Sequence, residues 1–260
     1  MVALQNLNKS NKALEKTQLA ITTGFRVNGP KDDASTFAIA QNMRGDIAGM
    51  GAVKTALANG EAVVNVAIEA GTSIADLLIE MKAKVVQANQ AGLDSTSRTA
   101  LHNDFVSLRD QITTIVASAE FNGTNLINVS ATNTNILSTV DGSTINVSAQ
   151  KLDATSLGIQ SAGLTTSASA ATALTQIETA IRSVSDKLAA LGSVAKRIEI
   201  QGEFTTKLQD ILKVGVGSLV DADLAEESAQ LQALQIKQQL GVQALSIANA
   251  GPQSILSLFG

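Results

Sequence analysis

Residues 50–88 read MGAVKTALANGEAVVNVAIEAGTSIADLLIEMKAKVVQA, and this stretch decides the fold of the 260-residue chain. Small and apolar residues recur in it alternately three and four positions apart, which is the seven-residue repeat of a helix that packs along one seam. The pattern predicts one long helix with a continuous buried face. The members of this first seam are Met50, Val53, Leu57, Gly60, Val64, Ala67, Gly71, Ile74, Leu78, Met81, Val85 and Ala88.

Two further segments carry the same repeat. The longer one lies near the other end of the chain, so the two ends can pack side by side with the middle as an insert. Its seam is Leu174, Ile177, Ile181, Val184, Leu188, Leu191, Ala195 and Ile198. The shorter one follows the capping side chains of residues 94–97 and should fold back beside the first seam. Its seam is Leu101, Phe105, Leu108, Ile112, Ile115 and Ala119.

The predicted fold class is mainly α: a long antiparallel helical rod or coiled-coil bundle formed by the N- and C-terminal segments, with a small β-hairpin insert. Asp141-Gly142 favours a two-residue turn between strands at 136–140 and 143–147. The uncharged Ser, Thr and Ala of residues 161–175 predict an exposed linker. The long C-terminal helix is expected to break near the glycines of residues 214–218.

These patterns divide the chain into five predicted regions: 1–33, an N-terminal helix and turn-rich region; 34–127, the N-terminal part of the helical rod; 128–173, the hairpin and linker; 174–217, the long C-terminal helix of the rod; and 218–260, a C-terminal helix. The chain has six Phe but no Trp or Tyr, a composition that favours a helical rod over the aromatic-rich core of a compact enzyme.

Charge and chemistry exclude several classes of function. The net charge is only −4 at pH 7 and the basic residues are scattered, which argues against a nucleic-acid partner. The chain has no cysteine and a single histidine, His102, which we place on a solvated helix face rather than in a metal site. The acidic pairs at residues 32–33 and 226–227 suit helix starts. We therefore predict no cofactor, no metal and no enzymatic activity.

Both chain ends carry apolar stripes that call for partners. No ionisable side chain follows Lys237, and a final helix ending near residues 251–252 without charge is suited to lie among copies of itself. The uncharged stretches 154–177 and 238–260 are too rich in polar residues to predict a membrane span. The predicted self-assembly residues are Leu4, Leu7, Leu14, Ile21, Leu224, Leu231, Leu234, Leu245, Ile255, Leu256 and Leu258.

The order and spacing of several short blocks resemble bacterial flagellin. At the N-terminal end they are LQNLN at 4–8, ITTGFRVN at 21–28, KDDA at 31–34 and FNGTNL at 121–126. At the C-terminal end they are SLVDADLAEE at 218–227, QQLG at 238–241 and PQSILSL at 252–258. The resemblance covers roughly residues 2–127 and 174–260, and it identifies the chain as a short form that lacks the outer domains.

The resemblance implies a structural subunit that self-assembles into the helical flagellar filament, with residues 1–33 as an N-terminal filament-core helix and spoke region and residues 218–260 as a C-terminal filament-core helix. We expect the terminal segments to stay disordered until neighbouring subunits bury them. It implies an open helical homo-oligomer, with hook-junction and cap proteins and an export chaperone as further partners. The expected location is the extracellular flagellum, reached without a cleaved signal peptide. The alternatives are a hook-filament junction protein and a cell-surface homologue that binds polysaccharide or a host surface.

The resemblance also suggests O-linked sugars in the middle of the chain. Exposed Ser and Thr side chains are the expected acceptors. The candidate O-glycosylation residues are Ser130, Thr132, Thr134, Ser138 and Thr139.

Overall fold

The computed structural model describes residues 2–256, and the side chains of residue 3 and of residues 248–256 lie outside this description. Two strands lie between the third and fourth helices, and they pair as an antiparallel hairpin. The predicted mainly helical fold with a small hairpin is confirmed. The elements described are α1 (Val2–Thr23), α2 (Ala34–Ala88), α3 (Ser95–Ser118), β1 (Thr134–Leu137), β2 (Thr144–Val147), α4 (Ser167–Val220) and α5 (Leu224–Leu256).

The chain forms two compact units. The terminal unit consists of residues 1–48 and 209–260, and the central unit consists of residues 49–208. Helices α2 and α4 contribute residues to both units.

The core of the central unit is built on the seams of α2, α3 and α4. All twelve members of the first seam are buried, as the repeat predicts. Along the α4 seam, fully buried and half-buried residues alternate. Ile177, Val184 and Leu191 are at most 1% exposed, and the seam residues between them are half-buried. Phe105 and Ile112 of α3 are both 0% exposed and belong to the same cluster. The three predicted helices therefore share one continuous apolar core.

The β-hairpin lies where sequence reasoning placed it, but its first strand ends earlier. The predicted strand at 136–140 is wrong because β1 ends at Leu137, and the side chains that follow bind across the turn. Ser138 Oγ donates to Ser143 O at 2.9 Å, and Thr139 Oγ1 accepts from Ser143 N at 3.1 Å. These bonds stabilise a six-residue connection in place of a two-residue turn.

The predicted exposed linker at residues 161–175 is also wrong. Leu164 is fully buried in the core of the central unit, and α4 already begins at Ser167. A reciprocal pair of bonds marks this helix start: Thr166 N donates to Ser169 Oγ at 2.9 Å, and Ser169 N donates to Thr166 Oγ1 at 3.1 Å. This arrangement resembles a capping box in which serine replaces the usual acid. The alanines beyond it favour helix because they lose no side-chain entropy.

The predicted break of the long C-terminal helix at residues 214–218 does not occur. Helix α4 continues to Val220, because Val216 and Val220 are buried in a small cluster of the terminal unit. A Cβ built at Gly215 would lie 3.1 Å from Met43 Cε, so this glycine allows a close contact rather than a turn. Helix α5 also continues beyond its expected end at residues 251–252. Proline removes one backbone hydrogen bond there, but its fixed φ is compatible with a helix.

Asp94 caps the N-terminus of α3, as the capping residues at 94–97 predict. Its Oδ1 accepts from Ser97 N at 2.8 Å, and its Oδ2 accepts from Ser97 Oγ at 2.7 Å. Both hydrogen bonds lower the pKa of the Asp94 carboxyl, and the bond from the Ser97 hydroxyl has the larger effect. Because they favour the charged form, the cap is complete only when the carboxyl is ionised.

Asp94→Asn should therefore make the stability of the protein depend less steeply on pH under acidic conditions. A lowered pKa in the folded state contributes stability above the unfolded pKa, and that contribution is lost as pH falls through the folded pKa. Asparagine caps helices comparably and does not titrate. We expect the melting temperature of this variant to fall less steeply below about pH 4. Asp141→Asn, in the exposed hairpin turn, is the matched control, and an equal flattening there would contradict the assignment.

Helix α2 is also long and apolar enough, by length and composition alone, to cross a membrane. This is a weak indication, because core helices of helical bundles pass the same test. The apolar residues of its seam are buried against the core of the central unit.

Candidate assembly surface

The terminal unit is organised around the pairing of α1 with α5. Gln238 Nε2 of α5 donates to Asn11 Oδ1 of α1 at 2.9 Å. Nearby, a Cβ built at Gly241 would lie 3.2 Å from Leu7 Cδ1, so the absent side chain lets the two helices approach closely. Helix α5 therefore finds a partner for one of its faces within the same chain.

Many of the predicted self-assembly residues lie along this α1–α5 seam. Thr17 and Ala20 of α1 are buried and lie three residues apart on one face of that helix, and Leu234 of α5 is also buried. The predicted residues on the same stripes are buried or half-buried within one chain. They are Leu7, Leu14, Ile21, Leu231, Leu234 and Leu245. This part of the set stabilises the subunit itself.

The opposite face of α5 carries a second apolar stripe, which we call the outer stripe. It consists of Ile236, Leu240 and Ile247, which are 58%, 58% and 74% exposed. Spacings of four and seven residues put them on one face, and at 100° per residue this face is opposite the seam. A helix with apolar residues on two opposite faces needs cover on both.

The outer stripe was not predicted from the sequence, because only one apolar face was assigned to each helix. The signal was present as a second set of residues at helical spacing on α5. Of the predicted self-assembly residues, Leu4 and Leu224 are exposed. The side chains of Ile255 and Leu256, and all of Leu258, lie outside the described residues. On α1 and α5, the exposed large apolar residues that were not predicted are Val2, Leu19, Ile236, Leu240, Val242 and Ile247.

Charge on α5 is concentrated at its start. Asp223 Oδ1 accepts from Ala225 N at 2.9 Å and from Glu226 N at 3.2 Å, which caps the helix. Glu226 and Glu227 lie in the first turn, where the positive end of the helix dipole favours acidic side chains. The acidic pair is thus structural, as predicted, and the outer stripe beyond Lys237 is free of charge.

A short backbone pairing fixes where α1 ends and α5 begins. Phe25 and Asp221 form an antiparallel bridge, and Ala222 N donates to Gly24 O at 2.9 Å. Gly24 has φ of +75°, a left-handed conformation that suits glycine at a helix C-terminus. Arg26 Nη2 donates to Leu219 O at 2.7 Å, close to the last turn of α4. These contacts start α1 and α5 side by side, so their seams meet in register.

The candidate O-glycosylation residues differ in accessibility. Ser130 and Thr132 are exposed, and Thr134 is half-buried in β1. Ser138 is only 7% exposed and its hydroxyl donates to Ser143 O, so this residue is the least accessible of the five. Thr139 is half-buried and its hydroxyl oxygen accepts from the turn.

Comparisons with known proteins agree on one family. Residues 1–134 match the profile of the bacterial flagellin N-terminal helical region, and residues 174–259 match that of the C-terminal helical region. Flagellin FljM of Caulobacter vibrioides is 45% identical over 260 residues, covering 100% of this chain and 95% of that protein. A flagellin of Brucella melitensis is 39% identical over 272 residues, covering 100% and 96%.

A solved structure shows the same likeness. The crystal structure of Bacillus cereus flagellin aligns with a TM-score of 0.52 and 25% sequence identity, covering 56% of this chain and 86% of that one. The seams, the paired terminal helices and the two matched regions lead to the same assignment: the chain belongs to the bacterial flagellin family.

Proposed function

We propose that this chain is a structural subunit that self-assembles, through the outer stripe of α5 and the exposed apolar residues of α1, into the flagellar filament used for swimming. The observation that carries the proposal is the outer stripe, which is apolar, uncharged and exposed opposite a face already covered by α1. Contiguous exposed apolar surface of this kind marks a protein interface. Family membership supports the filament as the assembly and the extracellular flagellum as its location.

The contact is proposed to be heterologous. The outer stripe belongs to one face of one helix, and a head-to-tail contact that does not close generates an open helical polymer rather than a ring. The seam residues would have the indirect role of holding α5 so that the outer stripe faces a neighbour. Ordering of the terminal segments on assembly stays a prediction, and burial of the outer stripe by neighbours would favour it.

The alternative functions are not favoured by the comparisons. The matched relatives are flagellins over the whole chain. The sequence relatives therefore give no support to a role as a hook-filament junction protein or as a surface-binding homologue. The structural nature of the family is consistent with the prediction that the chain is not an enzyme.

We extend the proposal to partners and export. Hook-junction and cap proteins at the filament ends, an export chaperone inside the cell, and export without a cleaved signal peptide are supported by family membership alone. Sugars on exposed Ser130 and Thr132 are a separate part of the proposal, which mass spectrometry of filaments from the native host tests directly.

The proposed interface is tested by replacing the outer stripe with serine. The triple variant Ile236→Ser, Leu240→Ser and Ile247→Ser removes three large apolar side chains, while the α1–α5 seam stays intact. We expect seeded polymerisation, followed by light scattering and electron microscopy, to be abolished. Helical content should fall only slightly, because serine and isoleucine have similar helix propensities and only Leu240→Ser replaces a better helix former.

The matched control is a second triple variant on the same helix, with Gln230, Gln235 and Gln239 replaced by serine. All three glutamines are exposed. This variant receives the same new residues and a similar propensity cost, so it should polymerise normally. Filaments formed by the outer-stripe variant at parental rates would remove the basis of the proposal.

A further inference from the structure

His102 of α3 holds a distant segment of the chain, contrary to the expectation of a solvated histidine. The side chain is half-buried, and its Nδ1 accepts a hydrogen bond from the backbone N–H of Leu164 at 3.3 Å. The two residues are 62 positions apart in the chain. A Cβ built at Gly163 would lie 3.8 Å from His102 Cε1, so the imidazole packs beside this backbone.

The segment that His102 holds closes one side of the central core. Ile159 and Leu164 are 0% exposed and Ala162 is 5% exposed, so residues 159–164 insert apolar side chains into the core. A second α3 side chain, one heptad further along, holds the same segment: Arg109 Nη1 donates to Gln160 O at 2.8 Å. Two side chains of one helix face thus fasten the segment at its two ends.

Only the neutral imidazole can make the His102 bond. An acceptor Nδ1 requires that the ring proton reside on Nε2, whereas the doubly protonated ring has only donors. We propose that His102 is a pH-sensitive latch, which fastens residues 159–164 to α3 when neutral and releases them when protonated. Histidine side chains commonly change charge between pH 5 and 8.

The charged groups around the latch are few. On α3, Arg98 lies one turn before His102 and donates to Ala88 O, while Arg109 is occupied by Gln160. Asp104 is paired with Lys84 of α2 at 2.8 Å. Residues 154–177 contain no ionisable side chain, so the latched segment offers protonated His102 no carboxylate in exchange. The nearby arginines carry only donors and a positive charge, so they offer the protonated ring no acceptor.

The latch is tested in the full-length, monomeric protein, and the result does not depend on the filament function. His102 is the sole histidine of the chain, so its nitrogen NMR signals are unambiguous. We expect the Nε2–H tautomer at pH 8. The hydrogen-exchange protection factor of the Leu164 amide should fall roughly five- to tenfold when His102 is protonated, since one hydrogen bond is lost. The Leu152 amide, which donates to Ile127 O at 2.7 Å, is the internal control.

Two variants separate the latch from a general acid effect. Asparagine places an acceptor oxygen at the same bond distance from Cβ as Nδ1 and does not titrate, so His102→Asn should keep Leu164 protected at every pH. His102→Ala should leave it weakly protected at every pH. An Nδ1–H tautomer in the parent protein, or parental Leu164 protection that follows Leu152 across the titration, would overturn the proposal even if a variant failed to fold.

Discussion

Phe105→Ala should lower the free energy of unfolding by about 3–5 kcal/mol, the usual cost of emptying a buried phenylalanine site. The ring of Phe105 is 0% exposed and lies in the cluster that joins α2, α3 and α4. Truncation removes apolar contacts within this cluster and leaves a cavity that long helices cannot easily collapse around. Urea unfolding followed by far-ultraviolet circular dichroism measures the loss.

The matched control is Phe204→Ala on α4. Its ring is 56% exposed, so the same chemical change removes far less buried surface and should cost under about 1 kcal/mol. The pair compares one aromatic residue on two helices of the central unit. Similar losses for both variants would mean that the core does not pass through α3, and the predicted role of the third seam would be lost.

The core of the central unit could be predicted because its residues follow a regular spacing along each helix. Each residue of the first seam is either small or apolar at a regular spacing, and helical periodicity alone assigns it to the buried face. The alternation of buried and half-buried positions in α4, such as Ile177 against Ile181, could not be predicted in the same way. It depends on which neighbours cover each position, and this is set by tertiary packing.

The errors share a different physical origin. Residues 161–175 contain no charge and many hydroxyl side chains, a composition typical of linkers, yet the bonds between Thr166 and Ser169 start a helix there. His102 and Leu164 meet only because α3 and the start of α4 close on the same core. Amino-acid composition predicts neither the hydrogen bonds that start a helix nor a hydrogen bond between distant segments, because each depends on where individual atoms lie in the folded chain.

The sequence pattern identified an apolar stripe on α5, but it did not show which neighbour covers that stripe. Sequence periodicity identified the stripe that includes Leu231 and Leu234, and α1 covers that stripe within the same chain. The residues left exposed, Ile236 and Ile247, lie on the opposite face of α5. An apolar stripe shows that a face needs cover, but it does not say whether the cover comes from the same chain.

Gly60→Leu should destabilise the protein by about 3 kcal/mol, near the upper end for overpacking a core. Gly60 lies in the first seam, and a Cβ built on it would lie 2.7 Å from Ile136 Cγ1 and 2.8 Å from Ile136 Cγ2. Because two branches of Ile136 are involved, a simple rotation of its tip cannot make room. The hairpin must shift away from α2, which also disturbs the buried Ile145 and Val147.

Gly45→Leu, in the same helix, is the control with the opposite sign. Gly45 is exposed and a Cβ there meets nothing within 4 Å. Leucine should therefore stabilise α2 by up to about 1 kcal/mol through helix propensity. Thermal and urea unfolding of the two single variants should move in opposite directions, and a shared direction would mean that the hairpin does not pack on Gly60.

A double-mutant cycle identifies the neighbour that causes the loss. Ile136→Ala alone should cost about 2–5 kcal/mol, since it empties a buried site. In the Gly60→Leu background the same truncation makes room for the new side chain, so its cost should shrink and the two effects should fall well short of their sum. Additive effects would show that the strain of Gly60→Leu is relieved elsewhere, and the close approach of β1 to α2 at Gly60 would then not explain the glycine.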